Sequence, residues 1–202
     1  MDAREAIITR RSVREYKDKD IGLSTIEEII DAGRYAPSAG NIQLWRVIVV
    51  KDERVKNKIA RLAMKQSWIS QAPAVLVVCS NKTTLKSYYG KRADKYAMQT
   101  ISAAVQNMLI RANSLGVGTC WVDTFESKAL KRELRIPEDT NPEVIITLGY
   151  SDKKARASLK VDLNKIVYFE RWGNLEVENK ILKELSSKIK KKINENKKKK
   201  KN

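Results

Sequence analysis

Residues 96–115, YAMQTISAAVQNMLIRANSL, decide the fold class of this chain. Apolar side chains recur there at every third or fourth position, which predicts a helix; they are Met98, Ile101, Val105, Met108, Ala112 and Leu115. Further apolar residues, among them Leu109, fill the other faces. A helix that is apolar nearly all round must be covered on every side. We therefore predict a central helix, with a partner subunit as one candidate for part of its cover.

Four short runs of apolar, mostly β-branched residues flank this helix along the chain. They predict strands over 46–51, 74–79, 117–122 and 142–149. Further helices are predicted over 2–10, 24–33, 52–64 and 126–134, the second of them opened by the capping box Ser24-Thr25-Ile26-Glu27. Because a long helical stretch separates the second and third strands, the order favours a layered α+β fold over strict βαβ alternation.

The composition narrows the possible chemistry. The chain has 202 residues, two cysteines (Cys79 and Cys120) and no histidine. The missing histidine excludes Ser-His-Asp and Cys-His nucleophiles and any histidine-ligated metal site. A hydrophobic fraction of 42% is typical of a globular protein with one main core. An enzyme with this composition needs a cofactor, or Lys, Tyr, Asp or Glu, for its chemistry.

The net charge of +17 is unevenly spread along the chain. Residues 186–202 hold nine lysines and one acid, a net charge of +8 that predicts a solvated tail. Ile181, Leu185, Ile189 and Ile193 recur every four residues and overlap the start of this stretch, as in an amphipathic helix. We predict a main domain over residues 1–173, followed over 174–202 by this helix and the lysine-rich tail. No apolar stretch is long enough to span a membrane, and the first residues lack a signal-peptide pattern, so we expect a cytoplasmic protein.

The stretch Gly116-Val117-Gly118-Thr119-Cys120-Trp121 begins like a dinucleotide-binding fingerprint. Trp121 stands where the third glycine belongs, and the stretch follows a helix and enters a strand, the reverse of the required order. We therefore exclude a Rossmann site here. Gly116 is interpreted as the end of the long helix, and Gly118 as a point where another group approaches the backbone closely.

Two other stretches combine polar groups in ways that suit a ligand. Residues 10–14, Arg-Arg-Ser-Val-Arg, bring three guanidinium groups and a hydroxyl together, a set suited to a phosphate. A solvated, cation-rich helix end is the alternative. Residues 36–45, APSAGNIQLW, join small residues to the side chains of Ser38, Asn41 and Gln43, a lining suited to a planar polar heterocycle. An ordinary turn before a strand is the alternative there.

Taken in order, five motifs resemble the nitroreductase family of FMN-dependent oxidoreductases, from about Ala3 to Trp172. They are residues 9–16 (TRRSVREY), 36–45, 72–73 (AP), 115–121 (LGVGTCW) and 148–150 (LGY). The resemblance implies an α/β/α sandwich around a four- to five-stranded, mainly antiparallel sheet. It also implies an obligate homodimer with two FMN molecules in its interface, reduced by NAD(P)H in a ping-pong cycle. The implied acceptor is a small molecule such as a nitroaromatic or a quinone.

The resemblance also implies roles for individual residues. Arg10, Ser12 and Arg14 match the segment that holds the FMN phosphate, ribityl chain and pyrimidine edge, and Arg11 matches a further contact. Pro37, Ser38, Ala39 and Asn41 match the stretch that reaches the flavin from the other subunit. Gly118 and Thr119 match the segment beside the N5–O4 edge of the ring.

Three weaker assignments complete the implied site. Lys160 is the predicted second basic contact to the phosphate, with Arg156 as the reserve. Gln66 is a candidate partner of the pyrimidine ring. Arg14 is the cation expected to favour the negatively charged, reduced flavin.

Other functions compete with this interpretation. A specialised branch of the same family that fragments FMN or dehalogenates tyrosines would need lid insertions, for which the chain has no long extra loop. A nucleic-acid-binding module would interleave aromatic residues with its lysines, and residues 186–202 contain no aromatic residue, so we expect no specific nucleic acid partner. Residues 80–96 are a candidate lid over the acceptor, with an exposed basic loop as the alternative.

Overall fold

The computed structural model describes residues 1–153, 159–174 and 187. By its internal contacts the chain divides into two units, residues 1–156 and 157–202. In the first unit the helices are α1 (Ala3–Thr9), α2 (Leu23–Arg34), α3 (Glu53–Leu62), α4 (Trp68–Gln71), α5 (Thr83–Tyr89), α6 (Ala93–Ser114) and α7 (Ser127–Glu133). The strands are β1 (Trp45–Val50), β2 (Ala74–Asn81), β3 (Gly118–Val122) and β4 (Thr140–Gly149). Single 3-10 turns lie at Ala39–Asn41 and Gly90–Arg92.

The four strands form one antiparallel sheet in the order β1-β2-β4-β3. Strand β2 is central, with Val77 opposite Ile48 of β1 and Ile145 of β4. Strand β3 lies at the edge and pairs Gly118 with Gly149 at the end of β4. The four predicted strands and the antiparallel α+β architecture are therefore confirmed.

Helices cover both faces of the sheet, because side chains of a strand point alternately to opposite faces. Leu76 and Val78 of β2 belong to a core shared with helices α2, α5 and α6. Val75, Val77 and Cys79 belong to a second core shared with α3, α4 and α7. The result is a three-layer α/β/α sandwich in which the two helical layers have separate cores.

Helix α6 is the long helix that the sequence predicts, and it begins three residues earlier than expected. It packs on α2 so closely that a Cβ on Gly33 would lie 2.4 Å from Met108 Cε. Val105 and Met108 are fully buried inside one chain, whereas Met98 is 45% exposed. A single chain thus leaves part of the helix open, and cover by a partner subunit stays a prediction.

Two further details correct the sequence analysis. Helix α2 begins at Leu23 after Gly22, and no side chain caps it, so the capping box predicted at Ser24 is wrong. Helices α4 and α5 were not predicted, because they are short and bury few apolar residues; in α5 only Leu85 is buried. The amphipathic helix predicted around Ile181–Ile193 lies outside the described residues.

The second unit is described over residues 159–174 and at residue 187. It contains a 3-10 turn at Leu163–Lys165, and the rings of Tyr168 and Trp172 lie 4.8 Å apart between centroids. The predicted division of the chain at residue 173 stays a prediction.

Candidate functional site

The arginine-rich segment 10–14 leaves the end of α1 and runs along the edge strand β3. The Val13 amide donates to the Thr119 carbonyl over 2.8 Å, and Ser12 forms a parallel bridge with Thr119. The backbone groups at the free edge of β3 are thus partly satisfied by this segment. The pairing fixes the positions from which the side chains of Arg10, Ser12 and Arg14 start.

Close packing on Gly118 allows the segment to approach the sheet. A Cβ on Gly118 would lie 2.9 Å from Val13 Cγ2 and 3.1 Å from the Gly149 carbonyl oxygen. Any side chain at position 118 would therefore push residue 13 away from the sheet. The expectation of a close backbone approach at Gly118 is confirmed, and the approaching group is Val13. The roles of Gly118 and Thr119 beside a flavin stay predictions.

Three side chains of the segment influence the Cys120 thiol electrostatically. Burial raises the pKa of the Cys120 thiol, and Arg14, a hydrogen bond with Ser12, and Arg10 each oppose that rise. The Arg14 guanidinium also lies over the Trp68 ring, 5.5 Å from its centroid, in a cation–π contact. Sequence reasoning missed both Cys120 and Trp68, since neither is close to the arginines along the chain.

Arg11 behaves differently from its neighbours. Its Nη1 donates to the carbonyls of Ile8 (2.8 Å) and Arg10 (2.7 Å), so the guanidinium covers the open carbonyl end of α1. For Arg11 the structure shows the helix-end contact that was the alternative interpretation. Its predicted contact with a cofactor stays a prediction.

Tyr16 ties the segment to the end of β4. The phenol hydroxyl lies 2.6 Å from both the Val13 carbonyl oxygen and Thr147 Oγ1. Burial raises the pKa of Tyr16 far above its usual range, so the phenol keeps its proton and can donate. Its ring lies against Gly149, where a Cβ would approach Tyr16 Cδ1 to 2.7 Å. Tyr16 therefore holds the chain between Ser12 and Arg14 in one conformation.

The second predicted segment, Pro37–Asn41, follows α2 and is anchored elsewhere. The Ala39 amide donates to Thr100 Oγ1 of α6 over 3.3 Å. Gly40 and Asn41 have positive φ values of 58° and 56°, and a Cβ on Gly40 would lie 2.8 Å from the Tyr89 hydroxyl. The segment is thus a tight turn that packs on α5 and α6.

Helix α6 shows how far apart the two segments lie. Asn113 near its end donates to Ala6 O (2.9 Å) and Thr9 Oγ1 (2.8 Å) of α1, whereas Thr100 holds Ala39. Thirteen residues of helix separate Thr100 from Asn113, which corresponds to about 20 Å along the axis. One chain therefore does not bring Pro37–Asn41 and Arg10–Arg14 together.

Gln66, Lys160 and Arg156 are the remaining predicted site residues. Gln66 lies in the turn between α3 and α4, two residues before Trp68, and its Nε2 donates to the Ala63 carbonyl over 3.0 Å. Lys160 is exposed in the second unit, and Arg156 lies outside the described residues.

The candidate lid, residues 80–96, contains α5 and the turn Gly90–Arg92. Tyr88 is 74% exposed there, and the rings of Tyr89 and Tyr96 meet edge to face at 5.0 Å. The alternative prediction for this stretch, an exposed basic loop, is therefore wrong, because part of it forms the short helix α5. A lid role stays a prediction.

The described part of the chain shows neither a metal cluster nor a membrane-spanning helix. No group of three or more Cys, Asp or Glu side chains is arranged there to hold a metal ion. None of the helices described is both long and apolar enough to cross a bilayer.

Comparison with known proteins agrees with this architecture. A candidate NADH dehydrogenase/NAD(P)H nitroreductase of Methanothermobacter thermautotrophicus is 31% identical over 176 residues, covering 85% of this chain and 88% of that protein. An FMN-dependent nitroreductase structure from Clostridium difficile superposes with a TM-score of 0.70 at 27% identity, covering 83% of this chain and 98% of that one.

A more distant structure shares the fold. The NADPH:FMN oxidoreductase of Vibrio harveyi, solved with NAD+, gives a TM-score of 0.77 at 21% identity over 87% of this chain and 80% of its own. The sequence profile described as the nitroreductase family matches residues 7–68 and 62–150. These matches cover the sheet, both helical layers and the arginine-rich segment, and the chain belongs to the nitroreductase family.

Proposed function

We propose that this protein is an FMN-dependent oxidoreductase that takes two electrons from NAD(P)H and delivers them to a small acceptor such as a nitroaromatic or a quinone. The relatives are named as NAD(P)H nitroreductases and, in Bacillus subtilis, as an NAD(P)H-dependent FMN reductase. The observation that carries the proposal is the pairing of the segment that bears Arg10, Ser12 and Arg14 with the edge strand β3, through the Val13 amide and the Ser12–Thr119 bridge.

The groups at this edge fit the phosphate end of FMN. The two guanidinium groups can donate charge-assisted hydrogen bonds to phosphate oxygens, and the hydroxyl can donate a neutral one. Both arginines come from a segment that the Val13 amide and the Tyr16 hydroxyl hold in place. Their side chains therefore start from a fixed backbone, which limits the entropy lost when a ligand binds.

The residues of the chain bind and tune the cofactor rather than react themselves. When bound, FMN supplies the ability to accept a hydride from NAD(P)H and to pass two electrons to the acceptor. Arg14 is held against Trp68, so its positive charge has a fixed position from which it stabilises negative charge on a reduced ligand. We assign Arg10 and Ser12 to the phosphate and ribityl chain, Gln66 to the pyrimidine edge, and Lys160 to a second phosphate contact.

The site requires two chains in this proposal. Within one chain, about 20 Å of α6 separates the turn at Ala39 from the end of α1. The layer formed by α1, α2 and α6 also exposes large apolar side chains: Ile7 (54%), Ile8 (46%), Leu23 (61%), Tyr35 (78%) and Met98 (45%). Such a surface is typical of a protein–protein interface. A homodimer formed there would let Pro37, Ser38, Ala39 and Asn41 of one chain complete the site that Arg10–Arg14 begin in the other.

The aromatic residues of α5 belong beside the acceptor in this arrangement. The Tyr89 hydroxyl packs against Gly40, so α5 would accompany the Pro37–Asn41 turn to the partner's flavin. The exposed ring of Tyr88 offers a flat apolar surface to an aromatic acceptor.

The experiment begins with the absorption spectrum of the purified full-length protein. We expect flavin bands, release of FMN on denaturation, and parallel double-reciprocal lines when NAD(P)H and a quinone are varied together. Arg10→Ala and Arg14→Ala should each weaken FMN binding by about 10- to 100-fold, because each removes a charge-assisted contact.

Arg46→Ala is the matched control. Arg46 is also exposed, and its guanidinium donates only to nearby backbone carbonyls in the described structure. A colourless protein that FMN cannot reconstitute would refute the proposed function. Normal flavin content in both arginine variants would refute the assignment of the phosphate site.

A further inference from the structure

The outer surface of α3 and the turn that follows it form a basic groove of about 700 Å³ on the opposite side of the sheet from α1, α2 and α6. Four cations line the groove, together with neutral polar side chains and the methyl group of an alanine. The charged or polar residues used below are Arg54, Asn57, Lys58, Arg61, Lys65 and Ser67. None of the residues that line the groove carries a carboxylate.

The cations are spaced so that they repel one another along the helix. Arg54 and Lys58 stand four positions apart on α3, and Lys58 and Arg61 three; Lys65 lies beyond the end of the helix. Like charges at these spacings are neighbours on a helix surface and destabilise it. Lys58 is held by Glu133 of α7 over 2.8 Å, and the Arg61 side chain donates only to the Asn57 carbonyl among the contacts described. Folding by itself gains little from this concentration of charge.

The end of the groove has an unusual backbone. Met64 and Lys65 both adopt left-handed conformations, with φ values of 55° and 56°. The Lys65 amide closes this turn by donating to the Arg61 carbonyl over 3.2 Å. The turn therefore places Lys65 in the same groove as Arg61, although Lys65 lies beyond the end of the helix.

A second basic hollow on the same layer shows what distinguishes the groove. The hollow, about 580 Å³ in volume, lies at α7 and is lined by Lys128, Arg132 and other residues that include Glu138. Lys131 there already donates to the Glu138 carbonyl over 2.8 Å. The Glu138 side chain thus lines the hollow itself, whereas at the groove Glu133 pairs with Lys58 from α7. The described contacts give no carboxylate partner to Arg54, Arg61 or Lys65.

We propose that the groove on α3 binds a phosphate-bearing small molecule of nucleotide size. Its volume falls within the range of roughly 300–1,000 Å³ that is usual for small-molecule sites. Guanidinium groups take phosphate oxygens in pairs, lysines supply point charges, and Asn57 and Ser67 add neutral donors. The groove lies on the helical layer opposite the proposed dimer surface, so it would remain open in the dimer. Lys65 and Ser67 flank Gln66, which we assign to FMN, so the cofactor site must be filled before the groove is tested.

The test is equilibrium binding of inorganic pyrophosphate and of ADP to the purified full-length protein, saturated with FMN to block the cofactor site. Isothermal titration at 50 mM and 200 mM salt should show saturable binding of one ligand per chain. The double variant Arg54→Gln/Arg61→Gln, at two exposed positions, should weaken binding at least about tenfold. Equal affinities for the two probes would identify phosphate as the recognised group, and tighter binding of ADP would show that the nucleoside also contacts the groove.

The matched control is Lys128→Gln/Arg132→Gln, which removes the same charge from the exposed surface of α7. We expect it to change the affinity less than about twofold, since the screened long-range contribution of exposed charges is small. Equal weakening in both double variants would overturn the proposal by showing that net charge alone attracts anions. Absence of saturable binding by the wild-type protein at millimolar ligand would overturn it as well. FMN content measured in the same samples reports on the proposed function independently.

Discussion

Substitution of Gly118 tests how the arginine-rich segment is held. In Gly118→Ala the new Cβ would meet Val13 Cγ2 at 2.9 Å, Val13 Cβ at 3.1 Å and the Gly149 carbonyl oxygen at 3.1 Å. Neither a backbone oxygen nor the stiff, β-branched Val13 can turn away, so the segment itself must shift by several tenths of an ångström. We expect a weaker hold on Arg10, Ser12 and Arg14 together.

The magnitude follows from two opposing contributions. Overpacking of this kind costs about 1–3 kcal/mol, and replacing glycine stabilises by about 0.4–1 kcal/mol through the unfolded state. The net loss should be about 0–2.6 kcal/mol, and each kcal/mol lowers Tm by roughly 2–4 °C in a chain of this size. Chemical unfolding followed by circular dichroism measures the stability, and FMN fluorescence quenching measures the affinity, which should fall in parallel.

Two further variants make this prediction specific. Gly22→Ala is the control, since a Cβ there meets only Ser24 Oγ, at 3.8 Å, and should change stability by less than about 0.5 kcal/mol. Val13→Ala in the Gly118→Ala background removes the closest contact, so the two substitutions should be coupled in a double-mutant cycle. Wild-type stability and FMN affinity in Gly118→Ala would refute the proposed hold on the segment.

Three other outcomes follow from the same structure. Tyr16→Phe should lose about 1–2 kcal/mol of stability, because the Val13 carbonyl and Thr147 lose their hydrogen-bond partner. The raised pKa of Tyr16 stabilises the folded state; this contribution is complete below the ordinary tyrosine pKa of about 10 and is lost as pH rises above it. Between pH 8 and pH 10.5 the free energy of unfolding should therefore fall less in Tyr16→Phe than in the wild-type protein, and an equal fall in both would contradict this. Cys79, whose pKa burial raises to about 11, and Cys120 should resist maleimide at pH 8 until the protein is unfolded, so rapid labelling of the native protein would disagree with their burial. Val105→Lys buries a charge inside one chain and should prevent folding. Met98→Lys changes a half-exposed site on the proposed dimer surface, so this variant should fold but lose both the dimer, measured by sedimentation, and FMN, measured by absorption. A flavin-loaded Met98→Lys dimer would place the interface elsewhere.

The parts of the fold that the sequence predicts are those with a strong local pattern. The repeat in residues 96–115 identifies α6, and continuous apolar runs identify β2 and β4, since burial on both faces leaves a near-continuous apolar signal. The capping box at Ser24 predicts the start of α2 one residue too late, because the helix begins at Leu23, after Gly22, without any side-chain cap. Short helices such as α5 leave too few buried residues to form a period.

The candidate site is less predictable, because its contacts join distant parts of the chain. Arg10, Arg11 and Arg14 look equivalent in sequence, yet Arg11 turns back onto the carbonyls of α1 while Arg14 reaches Trp68, 54 positions further along the chain. The direction in which the backbone leaves α1 decides this difference, and that direction depends on Val13 pairing with Thr119. A motif can therefore indicate which residue types bind a ligand, but the sheet edge selects the residues that reach it.

The separation along α6 links cofactor binding to assembly. If Ala39 and Arg10 of the same chain cannot meet, a ligand that needs both must bind two chains, and its binding energy then stabilises only the associated state. Ligand at 100 times its Kd adds about 2.7 kcal/mol to that state for each site that it fills, which corresponds to about a hundredfold in the dimer equilibrium per site. Dilution should therefore release FMN and dissociate the dimer in one transition, and added FMN should move that transition to lower protein concentration.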